Sequence, residues 1–150
     1  MNDLSELYQE VIFDHYRRPR NHGMLAGANR KAEGYNPLCG DKVTLYLKIE
    51  DGIVKDVSFE GSGCAIATAS ASLMTDALKG KTEAEAQALF GRFHEMVTAS
   101  GLVPVGAPDL GKLAALSGVR EFPARVKCAT LAWHTLHAAL QGEDRPVSTE

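Results

Sequence analysis

Residues 42–73 read KVTLYLKIEDGIVKDVSFEGSGCAIATASASL, and the reading of this stretch decides the fold. From Lys42 to Glu50 apolar and polar residues alternate. Val43, Leu45, Leu47 and Ile49 share one face and Thr44, Tyr46, Lys48 and Glu50 the other, the period of a strand buried on one side. A second run, Ile53 to Glu60, places Ile53, Val57 and Phe59 on one face, and Asp51-Gly52 between the runs is a turn signal. A two-residue loop would put Val43 to Ile49 on the side opposite Ile53, Val57 and Phe59. A three-residue loop, Glu50-Asp51-Gly52, is therefore expected, pairing Ile49 with Ile53, Leu45 with Val57 and Val43 with Phe59, with Gly52 in a left-handed bulge position. After Gly61-Ser62-Gly63 the period becomes helical, with Ile66, Ala69, Leu73, Ala77 and Leu78 on one stripe, Gly80 closing it and Cys64 at its N-terminus.

Outward from this stretch, Leu4, Leu7, Tyr8, Val11 and Ile12 recur at helical spacing up to Tyr16, with Asp3 as a cap and Pro19 as a stop. Arg17 to Asn36, rich in Gly, Asn and Pro, reads as a surface loop. Thr82 to Glu85 is a capping box opening a helix that buries Leu89, Phe90, Phe93 and Val97. Gly101 to Pro108 reads as a loop and Leu110 to Leu116 as a short helix. Phe122-Pro123 introduces a last helix through Ala132, Trp133, Leu136 and Leu140, and the polar tail after Gly142 reads as loose.

The chain has 150 residues, 45% of them hydrophobic, which suits one domain over residues 1–150 with one core. Such a core needs no metal or disulfide merely to fold, so any metal ligands are expected to be functional. Lys and Arg number 16 against 19 Asp and Glu, a net charge of −3, which disfavours nucleic acid and anionic lipid as partners. No run approaches the ~18 apolar residues of a membrane span, and Met1 to Leu7 lacks the layout of a signal peptide, so the expected location is cytoplasmic. Three cysteines in a reducing compartment point to metal binding, catalysis or burial rather than disulfides.

Cys39 precedes a strand, Cys64 follows the hairpin and Cys128 lies early in the last helix, positions that a fold can bring together. Asn36-Pro37-Leu38-Cys39-Gly40-Asp41 offers a thiol and a carboxylate two residues apart. Cys39, Asp41, Cys64 and Cys128 would complete a tetrahedral zinc set. Helix N-termini near Cys64 and Cys128 would favour thiolates, and Arg125 and Lys127 add positive charge beside an anionic site. The separations match no short CxxC pattern, so on spacing alone three unrelated buried thiols fit equally well.

The local sequences carry more. Residues 36–41, NPLCGD, residues 61–72, GSGCAIATASAS, and residues 125–133, RVKCATLAW, resemble, in order, the three cysteine motifs of the IscU-like iron–sulfur cluster assembly family, the NifU N-terminal-like domains. His15-Tyr16-Arg17-Arg18-Pro19-Arg20-Asn21 also resembles the family's N-terminal segment, so the resemblance covers nearly the whole chain. It implies an α+β fold, a small antiparallel sheet packed against several helices, with the three cysteines and the aspartate at one exposed end. Lys127 stands where the family's scaffold branch usually has histidine, and an extra stretch runs from about Gly101 to Phe122; both are similar to the SufU branch. A lysine ammonium has no lone pair to give an iron.

The resemblance thus implies a zinc-dependent sulfur-transfer protein that accepts persulfide sulfur from a SufS-like cysteine desulfurase and serves downstream cluster-assembly proteins. Cys39, flanked by Gly40, is the expected sulfur acceptor, Asp41 the exchangeable ligand and Arg125 the orienting charge. The alternatives are a scaffold that assembles and transfers a [2Fe-2S] cluster and a docking module with a structural zinc. Outside this set, His134 and His137, three apart on the last helix, read as a solvated helix face with a metal-binding pair as the alternative, and His94 reads as solvated. His15, His22 and the cluster Arg17, Arg18, Arg20 read as solvated, with partner docking as the alternative.

Overall fold

The structure, a computed structural model, describes residues 3–37, 40–98, 111–142 and 147–148. The two alternating runs form an antiparallel hairpin, β2 (Asp41–Glu50) and β3 (Ile53–Ser62). Its register differs from the expected one. Asp51 (φ 56°) and Gly52 (φ 73°) make a two-residue turn with both residues left-handed, and Glu50 pairs with Ile53 and Ile49 with Val54. Beyond that, Lys48 pairs with Asp56, Leu47 with Val57 and Leu45 with Phe59, so Lys55 is an extra residue in β3. This bulge, rather than a longer loop, brings Val57 and Phe59 onto the core face with Leu45 and Leu47. It is held from outside the hairpin: the Gly80 N–H donates to the Val54 carbonyl and the Val54 N–H to the Lys81 carbonyl, both at 2.8 Å. Val54, not Ile53, is the fully buried residue.

The stretch expected to be a loop up to Asn36 contains a strand, β1 (Arg30–Asn36), which pairs antiparallel with β2 from Arg30 opposite Leu47 to Asn36 opposite Asp41. Its inward residues are Ala32, Gly34 and Asn36, so no large apolar alternation marks it. The reason is the helix behind it: a Cβ on Gly34 would lie 2.0 Å from Thr135 Oγ1 and 3.1 Å from Leu131 Cδ1. In the tail expected to be loose, Val147–Ser148 (β4) pair in parallel with Gly34 and Tyr35, and the sheet order is β3-β2-β1-β4.

The helices are α1 (Asp3–Arg17), α2 (Ala65–Leu78), α3 (Glu83–Thr98), a 3₁₀ helix (Gly111–Glu121) and α4 (Pro123–Gln141). The capping box forms reciprocally, with Thr82 N–H to Glu85 Oε1 at 2.9 Å and Glu85 N–H to Thr82 Oγ1 at 3.0 Å. Pro123 opens α4 and Gly142 ends it in the left-handed conformation. The expected short helix runs on as 3₁₀ to Glu121, and the expected loop 101–108 lies outside the described residues. Because α2 is central, it buries about two full turns from Ala69 to Thr75 rather than one stripe. Its polar members are paired inside: Ser70 Oγ accepts from Trp133 Nε1 at 3.2 Å and donates to the Ala129 carbonyl at 2.6 Å. Trp133 stacks on Phe93 with ring centroids 4.5 Å apart, joining α3 and α4 over one core. Among the described residues no helix is long and apolar enough to cross a membrane.

Candidate metal centre

At one end of the sheet, β2 begins at Asp41, α2 begins after Cys64, and α4 passes with Cys128. One ligand atom from each of these three residues lies within 4.8 Å of the others. Cys39, the fourth expected ligand, lies outside the described residues; the hairpin that carries it is closed by the Asn36–Asp41 pair and by the Gly40 N–H donating to the Asn36 carbonyl at 2.9 Å.

Local folding places each group. Cys64 is the N-cap of α2, extended at φ −71° and ψ 170°, and its sulfur accepts the Ala67 N–H at 3.4 Å. Asp41 is 0% exposed, with Oδ1 accepting the Cys64 N–H at 2.9 Å and Oδ2 accepting Asn36 Nδ2–H at 3.2 Å. Gly63 permits this approach, since a Cβ there would sit 2.7 Å from Oδ1. Cys128 is buried; its sulfur receives Asn36 Nδ2–H at 3.7 Å and its thiol reaches the Ala124 carbonyl at 3.6 Å. It lies more than one turn into α4, so the dipole expected to act on it from the helix N-terminus has fallen off there.

Asp41 is a buried carboxylate whose donors are neutral amides, and among the described residues no cation pairs with it. A buried anion without a counter-ion is costly, and a divalent cation between it and two sulfurs would offset that cost. Two thiols and a carboxylate are a donor set that fits Zn²⁺, which accepts both ligand types. Asn36 is the residue that the sequence reading passed over. It opens the NPLCGD motif, yet only the hairpin pairing shows that its amide joins the carboxylate to Cys128.

Arg125 is exposed, its guanidinium 5.2 Å from the centroid of Phe122, and makes no ion pair with Asp41. His15, expected to be solvated, is buried, with Nδ1 hydrogen-bonded to Ser72 Oγ at 2.7 Å, and His22 packs edge-on against Phe59. His137 is exposed, as expected, whereas His134 is half-buried. With His94 they pack around Phe90, His134 edge-on to it at 5.4 Å and His94 at 5.8 Å from His134. Burial, then the charges of His94 and His137, lowers the pKa of His134 below 6.5. The unfolded chain therefore takes up this proton first as pH falls, and stability is lost below the unfolded value. We expect the melting temperature to drop between about pH 7.5 and about pH 5.5 and the drop to shrink in His134→Phe; an unchanged drop would refute the assignment.

A family model described as the NifU-like N-terminal domain matches residues 7–129. The chain belongs to that family. It is 43% identical over 141 residues to the iron-sulfur cluster assembly scaffold protein IscU of Streptococcus pyogenes serotype M1, covering 94% of this chain and 87% of that one. It is 44% identical over 142 residues to the zinc-dependent sulfurtransferase SufU of Bacillus subtilis, covering 95% of each. The crystal structure of a candidate iron-sulfur cluster assembly scaffold protein for the SUF system from Fervidobacterium islandicum AW-1 superposes with a TM-score of 0.82 at 36% identity, over 90% of this chain and 97% of the other. The α+β architecture and the IscU/SufU type are thereby established, a type whose named members serve iron–sulfur cluster assembly.

Proposed function

We propose that this NifU-like N-terminal domain is a zinc-dependent sulfur-transfer protein that takes persulfide sulfur from a partner cysteine desulfurase. The observation that carries this reading is the buried Asp41 carboxylate converging with the sulfurs of Cys64 and Cys128. Cys39, Asp41, Cys64 and Cys128 would hold the ion, which when bound favours the thiolate form of its cysteines. Cys39 is the acceptor. Its thiolate attacks the outer sulfur of the donor persulfide, a new S–S bond forms on Cys39, the donor's S–S bond breaks, and the electron pair leaves with the donor's thiolate. Arg125, exposed at the start of α4, supplies positive charge towards the anionic donor. Downstream cluster-assembly proteins receive the sulfur, and the unit is the single domain 1–150, acting in the cytoplasm.

The SufU relative's name supports this reading over a scaffold, and Lys127 beside Cys128 offers no lone pair to iron. The second reading, a scaffold for a [2Fe-2S] cluster, is favoured by the name of the Streptococcus relative.

Protein purified without added iron is expected to contain about one zinc per chain and no visible chromophore, because Zn²⁺ has a filled d shell. A brown product with bound iron and sulfide would overturn the zinc reading in favour of the scaffold. Chelation should lower the melting temperature while far-ultraviolet circular dichroism is kept, since the core does not pass through the metal site. Unfolding on chelation would instead make the zinc structural.

A further inference from the structure

Asn36 is fully buried at the end of β1, and its amide reaches two site groups on two other elements, Asp41 Oδ2 on β2 at 3.2 Å and Cys128 Sγ on α4 at 3.7 Å. Both can act as acceptors, so the NH₂ side of the amide faces them. Its two hydrogens diverge by about 120°, which lets one uncharged group serve both. A lysine or arginine here would bring its own charge and oppose the cation that the buried carboxylate calls for. The other oxygen of Asp41 is held by the Cys64 N–H at 2.9 Å. Cys64, Asp41, Asn36 and Cys128 therefore form one continuous hydrogen-bonded chain across α2, β2, β1 and α4.

We propose that Asn36 is a positioning residue that locks Asp41 and Cys128 into a fixed frame with Cys64, so that the site keeps its ion while the Cys39 thiolate is engaged elsewhere. This rests on the zinc reading above. The reason for such a lock is chemical: four protein ligands make a closed site, and turnover requires one to leave without the rest collapsing. A carboxylate and a thiolate that lie close together as ligands repel each other when a neighbouring ligand departs, and a shared neutral donor reduces that repulsion. Groups that orient ligands in this way typically contribute 10- to 100-fold to metal affinity.

The test compares wild type, Asn36→Ala and Asn36→Asp, the last nearly the same shape but presenting an acceptor where the donor was. Zinc affinity by competition with a chromophoric chelator is expected to fall by about 10- to 100-fold in both variants, further in Asn36→Asp. In the Co²⁺-loaded proteins the visible d–d bands should shift in both variants, reporting changed ligand geometry. The metal-free melting temperature of Asn36→Ala should fall as well, because the buried Asp41 carboxylate loses a donor; the readout that a merely structural role would not move is the Co²⁺ spectrum, which would then stay as in wild type. Unchanged affinity and spectrum in both variants would overturn the proposal. If wild type itself binds no zinc, the reading beneath it fails instead, and the two failures are distinguishable.

Discussion

Replacing Cys39 with serine should abolish sulfur acceptance from a cysteine desulfurase while part of the zinc binding survives. The serine hydroxyl has too high a pKa to supply the nucleophile, and no S–S bond can form on its oxygen. The remaining ligands are the three whose atoms already converge within 4.8 Å, two of them thiols, so the ion keeps most of its soft donors. Asp41→Ala gives a contrasting result. It deletes the buried carboxylate and leaves the Cys64 N–H and the Asn36 amide without their acceptor, so zinc affinity and site order should fall together while the Cys39 thiol remains. The assay is mass spectrometry after incubation with a desulfurase and cysteine, seeking the gain of one sulfur atom at a mapped position. Undiminished sulfur gain at Cys64 or Cys128 in Cys39→Ser would make the acceptor assignment wrong even with the family right.

The second large effect concerns the strand that delivers Asn36 to the site. Gly34→Ala should destabilise the protein by about 1–3 kcal/mol, the usual range for forcing a carbon into a packed interior. The added Cβ would meet Thr135 Oγ1 at 2.0 Å, Leu131 Cδ1 at 3.1 Å and Val43 Cγ1 at 3.2 Å. Thr135 has little room to yield, being fully buried, branched at Cβ and tied to the Leu131 carbonyl at 2.8 Å. For a chain of this size the melting temperature should fall by roughly 2–4 °C per kcal/mol. Thr135→Ala removes the atom in the way, so the double variant should recover much of the loss, giving a coupling energy of opposite sign to the single costs. Stability of Gly34→Ala within about 0.5 kcal/mol of wild type would mean that β1 does not lie against α4 as described.

Elements that bury their own face against a single neighbour were legible from residue order. The strand at Val43 to Ile49 alternates because only one side of β2 meets the core, and the box at Thr82 and Glu85 is a contact between residues three apart, complete within one turn. The site was legible in its composition: the motifs around Cys39, Cys64 and Cys128 carried the family, and Asp41 entered as a ligand because it stands two residues from a cysteine. What residue order left open is what depends on a distant neighbour. The hairpin register turned on the bulge at Lys55, held by hydrogen bonds between Val54 and residues 80–81 that no rule within the hairpin contains. Strand β1 hid because α4 leaves room only for Ala32, Gly34 and Asn36 on its inner face, and small residues carry no apolar period. His15 looked solvated among arginines until Ser72, 57 residues away, gave its ring a buried partner. The same holds at the metal centre. Sequence order determined which groups could be ligands. Only the meeting of a hairpin, an N-cap and the interior of α4 decided that Asp41 is wholly buried and that Asn36 binds it to Cys128, because hydrogen bonding and burial depend on separation in space and not along the chain.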